Sequence, residues 1–312
     1  MQTSLRTAIG WAVLAAGLSA ATATAELKTR TVEYTDGETV LEGYIAWDDD
    51  ADGERPGVLV VHEWYGLNDY ARARTRQLAQ MGYVAFAADI YGKGRRAKNA
   101  KEAAKLSGEF KKNPKRLRRR TKLALDQLKE LDQCDEDKVA AIGYCFGGTA
   151  VLELARSGAE LQAVVSFHGG LSTSQPADKG DLEAQVLVLH GGADPHVPDE
   201  ELLAFMKEMR KADATWQVNI YGDAVHSFTN SDSGDDPSTG AAYNKQADKR
   251  SWAAMKLLFT QTIGLPEKAD KPLTEIVKDF AVEKVASPVK EAGVKTGKAV
   301  KGAADWAKDK VD

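Results

Sequence analysis

Five short runs of β-branched and apolar residues constrain this chain more than any other feature: Val58–His62, Val84–Ala88, Val139–Ile142, Ala163–Phe167 and Val186–His190. Each is short and lacks the polar/apolar alternation of a half-exposed strand, so each predicts a strand buried on both faces of a parallel sheet. Parallel neighbours need crossover connections, usually helical. Segments with helical spacing of apolar residues lie between the runs: Asp69–Met81, Leu106–Leu131, Cys145–Ala155 and Pro198–Met209. Pro114 interrupts the second of these and is placed to open a new helix. Ahead of them, Thr31–Tyr34 and Val40–Trp47 flank Asp36-Gly37 and predict an antiparallel hairpin. The order predicts one α/β domain over residues 26–265, with a mostly parallel sheet and helices on both faces.

The two ends fall outside that pattern. Arg6, the apolar run Ala8–Ala16 and the small residues closing on Ala23-Thr24-Ala25 have the layout of a secretory signal cleaved after Ala25. The alternative is an uncleaved anchor, but the run is short of the ~20 apolar residues a span needs. Residues 1–25 are therefore expected to be a signal peptide, and the mature protein to be periplasmic or secreted, with no transmembrane segment. Residues 266–312 are rich in Lys, Ala, Val and Glu and have few large apolar side chains besides Phe280 and Trp306. They read as a weakly amphipathic helical or partly disordered tail, with weak surface association as an alternative role. With 42 Lys and Arg against 46 Asp and Glu, the chain has no global basis for binding nucleic acid. The basic stretch Lys111–Lys122 reads as a solvated helix face, with an anion-binding patch as the sharper alternative.

The chemistry concentrates at Gly143-Tyr144-Cys145-Phe146-Gly147-Gly148, directly after the third buried run. This is the G-x-S-x-G elbow with Cys in place of Ser. A nucleophile on so sharp a strand-to-helix turn requires neighbours without side chains two residues before and after it. The turn leaves the sulfur at a helix N-terminus, where unpaired N–H groups and the dipole favour thiolate. On the motif alone, an inert buried Cys beside two packing glycines remains the competing reading. Two later loops favour chemistry. His190-Gly-Gly-Ala-Asp194-Pro195 follows one predicted strand, and Val225-His226-Ser227-Phe228 follows the last. Nucleophile, acid, base is the chain order of α/β-hydrolases. His226 would take the thiol proton and Asp194 would orient its ring. Asp181, Asp199 and Asp223 are rival acids, but none combines a post-strand loop with this position.

At this point the chain resembles the dienelactone hydrolase family. His62-Glu63-Trp64-Tyr65-Gly66 is similar to its H-E-x-x-G loop, and Asp89-Ile90-Tyr91-Gly92 to its D-x-Y segment. Gly143-Tyr-Cys145-Phe-Gly-Gly148 is similar to its elbow, with Asp194-Pro-His-Val-Pro198 and His226-Ser-Phe228 as its acid and base loops. The resemblance runs from about Pro56 to Leu265. It implies an α/β-hydrolase fold and a Cys145-Asp194-His226 triad, in which Glu63 helps to deprotonate Cys145 and the backbone amides of Trp64 and Phe146 form the oxyanion hole. It implies hydrolysis of a small ester or lactone through a thioester, without a cofactor. Tyr65, Tyr91 and Lys93 are candidate substrate contacts. The chain departs from the family where two arginines commonly hold the substrate carboxylate and the resting glutamate, having Lys93 and Asn230 instead. Preference for an anionic lactone is therefore expected to be weak, and Glu63, without its arginine, is expected to lie closer to Cys145 or to pair with Lys93.

Other readings are weaker. His190, Asp194 and His196 are metal-ligand types, but Pro195 and Pro198 stiffen their turn and there is no HExxH helix, so no metal is expected. A Cys134–Cys145 disulfide would have to span a whole strand. His62 and His168 each follow a strand and read as packed loop residues. The non-enzymatic alternative is a catalytically degenerate hydrolase fold serving as a binding or envelope-stress protein.

Overall fold

The computed structural model describes residues 27–49 and 53–266. The expected signal peptide and the tail beyond residue 266 lie outside the described residues. Two strands form the leading hairpin, β1 (Leu27–Asp36) and β2 (Thr39–Asp48), turning at Asp36-Gly37. There follow β3 (Arg55–Val61), α1 (Asp69–Gln80), β4 (Val84–Ala88), α2 (Ala100–Lys111) and α3 (Pro114–Lys129). Next come β5 (Cys134–Tyr144), α4 (Phe146–Arg156), β6 (Ala163–Phe167) and β7 (Gln185–Gly191). The domain closes with α5 (Asp199–Lys211), β8 (Trp216–Tyr221) and α6 (Lys245–Thr262). Every strand and helix predicted between residues 27 and 265 is present. Pro114 opens α3, and Asn113 before it accepts a hydrogen bond from the Arg116 amide.

The eight strands form one sheet in the order β1-β2-β4-β3-β5-β6-β7-β8. β1, β2 and β4 pair antiparallel and the rest are parallel. Strand alternation sends side chains to two separate cores. Leu59 and Val61 face α2, α3, α4 and α5, whereas Val58 and Val60 face α1 and α6. This covering of both faces is why the buried runs read as uninterrupted apolar sequence. Among the described residues, no helix is long and apolar enough to cross a membrane.

The topology fixes where chemistry can sit. From β3 the chain crosses to β4 on one side, then returns past β3 to β5 on the other. The crevice at the carboxyl ends of β3 and β5 is therefore a topological switch point, where open α/β sheets bind ligands. Glu63 follows β3 and Cys145 follows β5.

Candidate active site

β5 ends at Tyr144 and α4 begins at Phe146, so Cys145 alone makes the turn, at φ 53° and ψ −114°. A side chain on Gly143 would collide with the Gly147 carbonyl, and one on Gly147 with the Val61 carbonyl. These are the positions two before and two after Cys145, as the elbow requires. The Phe146 amide lies in the first turn of α4 and has no intrahelical acceptor.

Two loops meet the elbow. The His226 Nε2 lies 3.0 Å from the Cys145 Sγ, and its Nδ1 donates to the Asp194 Oδ2 at 2.8 Å. A carboxylate on Nδ1 leaves Nε2 to face the sulfur. Asp194 is oriented in turn by the His196 amide, which donates to its Oδ1 at 2.8 Å. Burial opposes charging of His226, but the neighbouring Cys145 sulfur and the hydrogen bonds His226 donates to Asp194 and Cys145 outweigh it and raise its pKa to about 10. The arrangement favours an imidazolium beside sulfur.

Glu63 is buried beside this group. Asn230 Nδ2 donates to its Oε2 at 2.7 Å and the Ser227 hydroxyl to its Oε1 at 3.3 Å. Burial pushes its pKa up, and the Asn230 bond, His226, Ser227 and Arg74 pull it partly back. Of the alternatives for Glu63, pairing with Lys93 is corrected here: a neutral amide, Asn230, stands where the family carries an arginine and bonds the carboxylate. Lys93 is not brought to the site. Its exposed ammonium pairs with Glu33 of β1 and lies 3.9 Å from Glu42 of β2.

The other predicted residues take different places. The Tyr91 hydroxyl donates to the Trp64 carbonyl at 3.0 Å, and its ring packs 5.4 Å from Phe146 and 4.9 Å from His62. It braces the loop that carries the Trp64 amide. Tyr65 sets its ring edge-on to Trp64 at 5.5 Å, and its carbonyl accepts from the Ala97 amide. Both cysteines are free, with Cys134 buried and Cys145 half-buried. Among the described residues, no cluster of His, Cys, Asp and Glu is spaced to hold a metal. Sequence reasoning missed Asn230 and Ser227 as partners of Glu63. The signal was there: both belong to the loop that starts at His226, so any group holding His226 near the elbow also brings them near β3.

The profile described as the Dienelactone hydrolase family matches residues 41–263. The chain belongs to the dienelactone hydrolase family. A Yersinia pestis protein provisionally named carboxymethylenebutenolidase is 31% identical over 250 residues, covering 73% of this chain and 88% of its own. A solved structure titled m3DLH has a TM-score of 0.73 at 42% identity, covering 77% of this chain and 99% of its own. Another, titled a dienelactone hydrolase-like promiscuous phosphotriesterase from metagenomic libraries, has a TM-score of 0.70 at 43% identity, with 75% and 98% covered. As a dienelactone hydrolase family member the protein is an α/β-hydrolase acting on ester bonds of small molecules.

Proposed function

We propose that this dienelactone hydrolase homologue cleaves a small ester or lactone, with no preference for an anionic one, through a thioester on Cys145. The observation that carries the reading is the continuous hydrogen-bonded row from Cys145 through His226 to Asp194. The Cys145 thiolate attacks the ester carbonyl carbon, and its oxygen takes the negative charge between the amides of Trp64 and Phe146. The C–O bond then breaks and His226 gives its proton to the departing alkoxide. Water attacks the thioester, losing its proton to His226, and the acid leaves as Cys145 is regenerated. Glu63 is the second base of the site, its carboxylate held by hydrogen bonds from Asn230 and Ser227.

Substrate charge follows from the groups around it. A carboxylate substrate is best held by a two-pronged guanidinium. Here the groups bonded to Glu63 are neutral and Lys93 is engaged elsewhere. A neutral ester should therefore turn over about as well as its carboxylate-bearing analogue. Neutral phosphotriesters belong in the same panel, because the metagenomic relative is a promiscuous phosphotriesterase. The test is hydrolysis of matched neutral and anionic esters by wild type and Cys145→Ala. Absence of turnover on every ester by wild type would favour the binding-protein alternative, and an active Cys145→Ala would refute the thioester route.

We further infer export, on the signal-like residues 1–25. Mass spectrometry of the exported protein should find Glu26 at its N-terminus, and retention of Met1 would refute cleavage.

A further inference from the structure

His168 lies where β6 ends, between the strand that carries Cys145 and the strand that carries Asp194. Its side chain is buried, and its backbone sits at φ 41°. Among the described residues, four other than glycine have positive φ, and three of them are Cys145, His168 and Ser227. Strain of this kind persists only where the surroundings over-determine it, and here it gathers on one spot.

The ring touches both halves of the reacting pair's scaffold. The Cys145 amide donates to the His168 Nδ1 at 3.2 Å, sharing its hydrogen with the Phe167 carbonyl at 3.0 Å. Nδ1 is therefore an acceptor, so the ring proton is on Nε2, which donates to the Thr229 Oγ1 at 2.7 Å. Thr229 lies three residues beyond His226. One imidazole thus spans from the nucleophile's own peptide to the loop that carries the base. The His226 ring lies edge-on to it at 5.4 Å and the Phe228 ring at 5.0 Å.

The clamp works only if His168 is neutral, because a protonated ring would point N–H at N–H. The groups around it enforce that state. Burial disfavours its charge first, followed by the cations His226 and Arg74, and together they hold its pKa well below the ordinary histidine value. Arg74 comes from α1, where it pairs with Asp248 of α6 and donates to the Thr229 carbonyl. Tyr144 of β5 lies 6.2 Å from the ring, and the Tyr70 hydroxyl of α1 shares a hydrogen bond with the Thr229 hydroxyl at 2.7 Å.

We propose that His168 is a positioning residue, a permanently neutral clamp that fixes the Cys145 sulfur at bonding distance from His226 by tying the elbow peptide to Thr229. This rests on the reading of Cys145 and His226 as the reacting pair. Loss of the clamp would let the strained elbow relax, so turnover would fall while substrate binding changed little. A role in packing alone would lower stability and leave the turnover of folded enzyme alone.

The test uses the full chain with Cys145→Ala, His168→Leu, His168→Asn, His168→Gln and Thr229→Val. The readouts are kcat and KM on an aryl ester, the iodoacetamide alkylation rate of Cys145 and the melting temperature. His168→Leu should lose at least ~10-fold in kcat, with KM within about twofold and slower alkylation. Asn places an acceptor where Nδ1 stands, so His168→Asn should recover at least ~3-fold over His168→Leu. Thr229→Val should lose about threefold in kcat. A folded His168→Leu with kcat and alkylation within twofold of wild type overturns the proposal, and so does His168→Asn falling equally far. Should His168→Leu not fold, the comparison passes to His168→Gln, whose amide matches Nε2 and leaves the Cys145 amide unmatched. His168→Gln must then be slower than His168→Asn, and the reverse or equal order overturns the clamp. An active Cys145→Ala would instead refute the reacting pair itself.

Discussion

The two ends of α4 handle buried polarity in opposite ways. At its C-terminal end, Arg156 donates to Glu208 through both Nε and one terminal nitrogen at 2.8 Å, and to Glu153 at 3.1 Å. The Leu171 carbonyl takes a further bond, and Glu153 also binds Arg118 at 2.8 Å. Every charge there faces an opposite one in ordinary backbone. At the N-terminal end, Cys145 sits on strained backbone against a histidine driven toward its charged form, and nearby Glu63 rests on neutral donors alone. Fully compensated charge makes a scaffold. Under-compensated charge on strained backbone leaves groups ready to exchange protons.

The comparison breaks most visibly at the scaffold end. Arg156→Leu strips Glu208 of its bidentate partner and Glu153 of one of two. Removing one member of a buried pair leaves an uncompensated charge and costs about 3–5 kcal/mol. Urea unfolding should show a loss of that size, while kcat per folded molecule stays within twofold. A large fall in kcat at unchanged stability would mean that the two ends are not independent.

The elbow end should respond in the opposite sense. Cys145→Ala, His226→Ala and Asp194→Asn should each cost at least ~100-fold in ester hydrolysis, because members of such a set act as a unit. Melting temperatures should move far less than for Arg156→Leu. Near-wild-type turnover in any one of them removes that residue from the set. The His226 pKa gives the comparison an electrostatic measure. The sulfur contributes to raising it to about 10. In Cys145→Ala its titration, followed by ring-proton NMR, should therefore move down, and an unchanged midpoint would mean that the sulfur carries no charge there.

The legibility of these two ends in the sequence differs for a physical reason. The elbow is local: two glycines, a cysteine and the strand-to-helix switch lie within six residues, so sterics alone specify it. The loops of Asp194 and His226 were readable because strand ends of one sheet must converge. The scaffold end was not readable, since Glu153, Arg156 and Glu208 are paired by packing of α5 on α4, which no local pattern encodes. The basic stretch Lys111–Lys122, read as a solvated face, conceals the same kind of pairing. Arg118 is tied to Glu153, and Arg120 is buried against Asp36. Lys93 and Asn230 show the limit within the site itself. The sequence marks both as departures from the family pattern, but only the fold shows Asn230 bonded to Glu63 and Lys93 turned to the hairpin.

The neutrality of the Glu63 pocket offers a smaller handle. Asn230→Arg would place a guanidinium against Glu63. If the fork also reaches substrate, kcat/KM for an anionic ester should improve relative to its neutral analogue by roughly 1–3 kcal/mol. An unchanged ratio would mean that Asn230 sets the resting position of Glu63 and does not meet substrate.

The smallest effect is expected at Asp36, which compares an exposed partner with a buried one on a single carboxylate. Asp36 accepts from Arg119 at 2.7 and 3.1 Å and from Arg120 at 2.8 Å. Arg119 is largely exposed, whereas Arg120 is buried, donates also to the Ile90 carbonyl at 2.7 Å and lies over the Phe110 ring. The Arg119 hydrogen bond leads in holding the Asp36 pKa below its ordinary value; burial opposes it and Arg120 adds to it. A carboxylate depressed in the folded state stabilises above its unfolded pKa, and that stabilisation is lost as pH falls through the lower folded value. Asp36→Asn should therefore cost on the order of 1 kcal/mol at neutral pH, less than Arg156→Leu, because the amide keeps an oxygen acceptor for the buried Arg120 guanidinium, which also keeps the Ile90 carbonyl, and the exposed Arg119 is worth little. The gap between wild type and variant should stay constant down to about pH 4 and close below it, because the wild-type carboxylate then protonates as well. Melting temperatures of the two proteins across that range check this directly. A gap that persists unchanged in acid would show that Asp36 contributes through shape and hydrogen bonding and not through charge. The hairpin would then be held to α3 by the same neutral logic that holds Glu63 at the elbow.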